Sequence, residues 1–225
     1  MRYCERLGIA AGLLLAAICL PLAAAASAEL PQGADGVVAF CFDGDTVKLT
    51  DRRIIRIAGI DAPEMGRDNG RPQYYAREAK KILSDRVRGQ KVRLFMVGTG
   101  KDRYGRTVAD VRLTDGQSLS DIMIGEGAAF FYPHKDLLPE LQERLLALQK
   151  TAIQERRGMW EQLLTLPLAR QNFIGNRASM RFFPATCQNA QHIKPRNRLY
   201  FGTLMDAFLA GFAPARVCPF WPEQF

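Results

Sequence analysis

Two short acidic turns carry the chemistry this sequence could do. Asp43-Gly44-Asp45-Thr46 puts two carboxylates into one tight turn, and Asp61-Ala62-Pro63-Glu64 puts two more at a strand end. Closely spaced carboxylates repel one another unless a cation neutralises them. A hard divalent cation takes several oxygen ligands, backbone carbonyls and waters included. Either turn alone is also what solvated, turn-forming aspartates produce. Two arginines change that balance. Arg56 lies five positions before Asp61 in an apolar run, and Arg106 ends Lys101-Asp102-Arg103-Tyr104-Gly105-Arg106. Arginine binds phosphate oxygens through a planar fork and stays charged. A cation, a carboxylate base and two arginines are the parts needed to attack a phosphodiester with water. His134 and His192 are the only histidines and neither adjoins these motifs, which disfavours a two-histidine mechanism. No CxxC or Cys/His cluster offers a zinc site.

The elements that must position these groups follow from local pattern. Gly36 to Phe42 and Thr46 to Thr50 read as a hairpin around the first acidic turn. Arg53 to Ile60 reads as a third strand, with Ile55 and Ile57 on one face and Arg56 on the other. A helix is expected from Pro72 to Gly89, with Tyr75, Ala79, Ile82 or Leu83, and Val87 as its apolar stripe. Strands follow at Lys91 to Val97 and Thr107 to Leu113, separated by a loop from Gly98 to Gly105. Ser118 with Asp121 suggests a capping box for a short helix closed by Gly127. Asp136 is the expected cap of a longer helix ending at Gly158. Five short strands with one helix between them fit a small closed or partly open barrel better than a doubly wound sheet.

Both ends of the chain differ from this middle part. Arg2 and Arg6 precede an apolar run from Leu7 to Leu22, and Ala26-Ser27-Ala28 is a small-x-small cleavage site. Residues 1–28 therefore read as a signal peptide, with Glu29 opening the mature chain and no stable membrane insertion after cleavage. The expected location is periplasmic or secreted. The net charge is +8. From residue 166 to 225 seven basic side chains face only two acidic ones, so the tail holds most of the excess. A basic surface attracts polyanions, nucleic acid and anionic lipid alike. Residues 29–164 read as the barrel domain and 165–225 as a basic C-terminal extension. Cys187 and Cys218 are the expected disulfide pair, and Cys41 reads as a buried small hydrophobe. Closing that loop would gather Lys194, Arg196 and Arg198 into a steering patch. Phe201, Leu204, Met205, Phe208, Leu209 and Phe212 recur at helical spacing and would anchor the tail. The opposing expectation is that the tail mainly covers apolar barrel surface.

Taken together, Asp43-Gly44-Asp45-Thr46-Val47-Lys48-Leu49, Arg56, Asp61-x-Pro63-Glu64 and Asp102-Arg103-Tyr104-Gly105-Arg106 resemble the staphylococcal nuclease family in order and spacing. The resemblance runs from about Gly36 to Trp160, where Gly158-Met159-Trp160 resembles that family's domain end. It implies an α+β chain: an OB-fold five-stranded β-barrel with three packed helices, here with a C-terminal extension. It implies calcium held by Asp45, Asp61 and the carbonyl of Ala62, with Asp43 close by. Glu64 matches the general base, Arg56 and Arg106 the phosphate clamps, and Arg103 and Tyr104 positions near the bound nucleotide. The implied substrates are DNA and RNA, cut at P–O5′ to leave 3′-phosphates by a monomer. Ala62 replaces a threonine often found there, and the family's nucleotide-binding tyrosines have no clear match, although Phe130, Phe131 and Tyr132 lie nearby.

Two other readings compete. Asp43-x-Asp45-x-Val47 also resembles the aspartyl-phosphate motif of haloacid dehalogenase-type phosphatases. That fold needs strands and helices alternating in a parallel sheet, a pattern missing here. A non-catalytic OB-type module binding nucleic acid or protein is the second. Degenerate domains of that kind lose carboxylates or arginines, whereas Asp45, Arg56, Asp61, Glu64 and Arg106 are all present.

Overall fold

The computed structural model describes residues 34–66, 70–102, 104–218 and 221–222, without the Thr99 side chain. The expected signal peptide and Arg103 lie outside the described residues.

The first strands are β1 (Ala34–Cys41), β2 (Thr46–Leu49), β3 (Ile54–Ile57) and β4 (Ile60–Asp61), followed by helix α1 (Ala76–Val87). Next come β5 (Lys91–Lys101), β6 (Thr107–Leu113), α2 (Leu119–Gly125), β7 (Phe130–Phe131) and α3 (Pro139–Gln154). Strands β1, β2, β3, β6 and β5 close into a five-stranded barrel in that order. The α+β OB-fold architecture expected from the sequence is therefore present. Strands β3 and β6 run parallel, pairing Ile55 with Thr107 and Arg56 with Val108. The other four contacts are antiparallel. Val38, Val47, Leu49, Ile55, Ile57, Val92, Leu94 and Val111 fill the interior, joined by Ala79, Leu83 and Val87 of α1 and by α2.

Several local expectations give way to tertiary contacts. The third strand breaks after Ile57; Gly59 takes φ 77°, and Ile60 and Asp61 pair instead with Phe131 and Phe130 of β7. Helix α1 begins at Ala76, after Tyr75 in a left-handed conformation, so Pro72 is not in its first turn. β5 extends through Gly98 and Gly100 to Lys101. Ser118 precedes α2 but caps nothing: its hydroxyl donates to the buried Asp110 carboxylate at 2.8 Å. α3 starts at Pro139 rather than beside Asp136.

Beyond α4 (Trp160–Leu163) the chain builds a second sheet from β8 (Phe173–Asn176), β9 (Arg181–Pro184), β10 (Arg198–Phe201) and β11 (Ala213–Pro214), in the order β10-β8-β9-β11. Short helices α5 (Gln188–Gln191) and α6 (Leu204–Leu209) connect them. The expected longer helix is thus only its middle; Phe201 lies on β10 and Phe212 beyond the helix end. α6 opens on Thr203, whose hydroxyl accepts from the Asp206 amide. Phe208, Phe173 and Phe182 pack with Trp160, Met159, Ile153 and Phe130, so the second sheet shares a core with α3 and β7. Gln149 of α3 bridges the two parts from a fully buried position, receiving the Phe131 amide and donating to the Phe208 carbonyl. Cys187 and Cys218 are joined by a disulfide, and Cys41 is a buried free thiol.

Candidate active site

Gly44 lets the two acidic turns meet. A Cβ there would lie 2.8 Å from the Ala62 Cβ and 2.9 Å from the Ala79 Cβ, closer than packed carbons tolerate. The close approach allows the Ala62 amide to donate to Asp45 Oδ2 at 2.8 Å. The first turn is held from within as well. Asp43 Oδ1 accepts from the Asp45 amide, and Asp45 Oδ1 accepts from the Thr46 hydroxyl. The Asp45 carbonyl takes the Ile57 amide, which ties the turn to β3.

Arg56 sits between the turns. Its Nη1 is 2.9 Å from Asp45 Oδ2, and its Nη2 is 2.8 Å from Asp61 Oδ1. The side chain is only 9% exposed. Arg56 is therefore buried between the two turns. Glu64 is placed by a reciprocal pair with Gln73. Its amide donates to Gln73 Oε1, and its carbonyl accepts the Gln73 amide, both at 2.9 Å.

Two residues of the extension complete the cluster. Arg216 Nη2 lies 2.6 Å from Asp61 Oδ1 and 3.0 Å from Glu64 Oε1. Arg181 Nη1 lies 3.3 Å from Asp61 Oδ2 and donates to the Pro214 carbonyl at 2.9 Å. The Arg181 guanidinium also stacks 3.9 Å from the centre of the Tyr132 ring, a cation–π contact. Of the aromatic run near the expected nucleotide site, Phe130 and Phe131 are core residues and Tyr132 alone reaches this cluster. Sequence reasoning missed Arg181 and Arg216. The one signal pointing toward them was the basic excess of the tail.

The electrostatics reflect this crowding. Burial raises the Asp45 carboxyl to about 7; Arg56 opposes the rise, while Asp43 and Asp61 add to it. Burial acts on Asp61 too, but Arg56, Arg216 and Arg181 outweigh it and hold that carboxyl below its usual range. Burial raises Glu64, against the pull of Arg216.

The other expected clamp, Arg106, stands apart. Arg106 Nε donates to Asp102 Oδ2 at 2.7 Å, and Asp102 Oδ1 accepts the Tyr104 and Arg106 amides. The Arg106 guanidinium lies 5.5 Å from the centre of the exposed Tyr104 ring. Thr107, the next residue, pairs with Ile55, so register places Arg106 beside β3 but not in the carboxylate network.

The donors suit a hard divalent cation: three aspartates in two touching turns. Among the described residues no three acidic, histidine or cysteine side chains form a ready-made cage. Asp45 and Asp61 instead hold guanidinium groups. A cation liganded by Asp61 would share that carboxylate with them.

Residues 54–162 match the model of the family described as staphylococcal nuclease homologue. The match opens after the first acidic turn and ends within α4. An uncharacterized endonuclease of Escherichia coli O157:H7 is 33% identical over 135 residues, covering 59% of this chain and 80% of that protein. A thermonuclease of Staphylococcus hyicus is 34% identical over 124 residues, covering 52% and 70%. One of Staphylococcus intermedius is 32% identical over 137 residues, covering 58% and 78%.

Proposed function

The chain belongs to the staphylococcal nuclease family, and from that premise we propose that it is an exported, calcium-dependent endonuclease hydrolysing DNA and RNA. The observation that carries this reading is the single network joining Asp45, Arg56, Asp61 and Glu64.

In this reading Asp45, Asp61 and the Ala62 carbonyl, with Asp43 nearby, would hold calcium. When bound, the ion supplies positive charge against the charge that grows on the phosphoryl oxygens. Glu64 accepts a proton from water, or at least orients it, as the water oxygen bonds to phosphorus. The P–O5′ bond breaks on the opposite side, the 5′-oxygen takes up a proton, and a 3′-phosphate remains. General-base help of this kind contributes about 10²–10⁴-fold. Arg106 grips a phosphoryl oxygen from the rim, with Tyr104 and Arg103 near the nucleotide. Burial raises Glu64 toward the range where a carboxylate is a more effective base.

Export is supported by the leader-like residues 1–28 and by the Cys187–Cys218 disulfide, which persists in oxidising compartments. Incubating the full chain with single-stranded DNA, first with calcium and then with excess chelator, tests the proposal. Digestion that stops in chelator and resumes with added calcium is the expected result. Intact DNA in both conditions would leave a binding module.

A further inference from the structure

The end of the extension crosses the candidate site as a strap fastened on both sides. On one side Ala213 and Pro214 pair with Arg181 and Phe182 of β9, and the Ala215 amide donates to the Phe182 carbonyl at 2.8 Å. On the other, Cys218 is bonded to Cys187, and the Trp221 indole donates to the Tyr74 carbonyl at 3.1 Å. The Tyr74 amide in turn donates to the Pro222 carbonyl at 2.6 Å. Tyr74 follows Gln73, the residue that holds Glu64. Arg216 lies between these fastenings.

Its donors are divided in a useful way. A guanidinium has five N–H donors, and here Nη2 serves both carboxylates. Nε and Nη1 have no protein partner among the described residues, and the side chain is 44% exposed. Arg56 is the opposite case, with Nη1 and Nη2 both given to carboxylates and backbone and little solvent contact. A phosphorus attacked by water held at Glu64 lies within reach of the group already 3.0 Å from Glu64 Oε1.

We propose that Arg216 is a substrate-contacting residue of this nuclease, binding a phosphoryl oxygen of the scissile diester through the donors it does not give to Asp61 and Glu64. The inference rests on the nuclease reading for its substrate. Arg181 supports Arg216 from behind: it holds the strap through Pro214 and takes the other oxygen of Asp61. The strap is bound into the second sheet, by a disulfide and on Tyr74, so it is a fixed wall of the site. A detachable cap would lack those fastenings.

The test measures binding of a short fluorescent single-stranded oligonucleotide by anisotropy in chelator, where no turnover is needed. It then measures single-turnover cleavage with calcium. Arg216→Ala should weaken binding by about tenfold or more, the loss of a charge-assisted contact. It should also lower the salt slope by about one counterion. Arg216→Lys keeps the charge and should recover part of the binding. Lys150→Ala, an exposed lysine of α3 outside the site, should change short-oligonucleotide binding little. Thermal melts check that each variant is folded. The cleavage rate should fall for Arg216→Ala. If Arg216→Ala binds as wild type does, or cleaves faster, the residue is a cap and the proposal is overturned. A wild type that binds but never cleaves would sink the nuclease reading, while the Arg216 contact would still be decided by the binding data.

Discussion

Arg216 Nη2 sits 2.6 Å from Asp61 Oδ1, although 155 residues of chain separate the two. The same oxygen also accepts from Arg56, and the other oxygen of Asp61 faces Arg181. A carboxylate that sequence motifs assign to a cation is thus the meeting point of three arginines. One comes from the barrel and two from the extension. The extension is therefore part of the site, and variants must be read with that in mind.

Glu64→Gln should fold normally. The backbone pair with Gln73 is retained, and the side chain keeps its shape and its contact to Arg216. Only the base is lost, so the single-turnover rate should fall by about 10²-fold or more. An unchanged rate would move the proton-accepting role to another group.

Arg56 should matter for the fold as well as for chemistry. Arg56→Leu would leave Asp45 facing the other carboxylates without its partner; breaking a buried pair costs about 3–5 kcal/mol. Arg56→Lys has one ammonium for two carboxylates 2.9 and 2.8 Å from the present nitrogens, so it should lose activity and melt lower than wild type. Wild-type melting and turnover in the lysine variant would contradict the role of Arg56 in joining the two turns.

Calcium should act on stability as well as on cleavage. A cation bound to the folded chain alone raises its melting temperature in a concentration-dependent way. The shift should vanish in the double variant Asp43→Asn, Asp45→Asn. A shift that survives both substitutions would place the ion elsewhere.

Gly44→Ala brings a methyl group to 2.8 Å from Ala62 and 2.9 Å from Ala79. Neither neighbour has a flexible end to move. Overpacking of this kind costs about 1–3 kcal/mol. It would also pry the two turns apart, so activity should fall further than the melting temperature implies. Full activity with a normal melt would show that the turns tolerate separation.

Ending the chain after Leu164 should not give a well-behaved barrel. Trp160, Met159, Ile153 and Phe130 would lose Phe173, Phe182 and Phe208, and Asp61 would lose two of its three arginines. Aggregation or a much lower melt is expected, and Phe208→Ala in the full chain should cost about 3–5 kcal/mol. A soluble, active truncation would return the tail to the role of a steering arm. Arg198, one of the cations expected in such an arm, already donates to the Ile193 and Gln191 carbonyls.

What the sequence determined by itself was local. The acidic turns, the alternating strands at Lys91 to Val97 and Thr107 to Leu113, and the stripe of Ala79, Leu83 and Val87 declare themselves within a few residues. Turn chemistry and side-chain period act over that range. The motifs of Asp45, Arg56, Asp61 and Glu64 were legible for the same reason. What only the tertiary structure decided depends on partners far along the chain. Ser118 could have capped its helix, but a buried aspartate on β6 offers its hydroxyl a better bond. Asp61 could have ended β3, but β7 gives Ile60 and Asp61 a strand to pair with. The second sheet is built from strands of two to four residues, too short to show a period. Its register comes from packing aromatic side chains against Trp160 and Phe130. That packing carries Arg181 and Arg216 to Asp61, a contact no local pattern encodes, because a lone arginine in a tail has no sequence mark for the carboxylate it will meet.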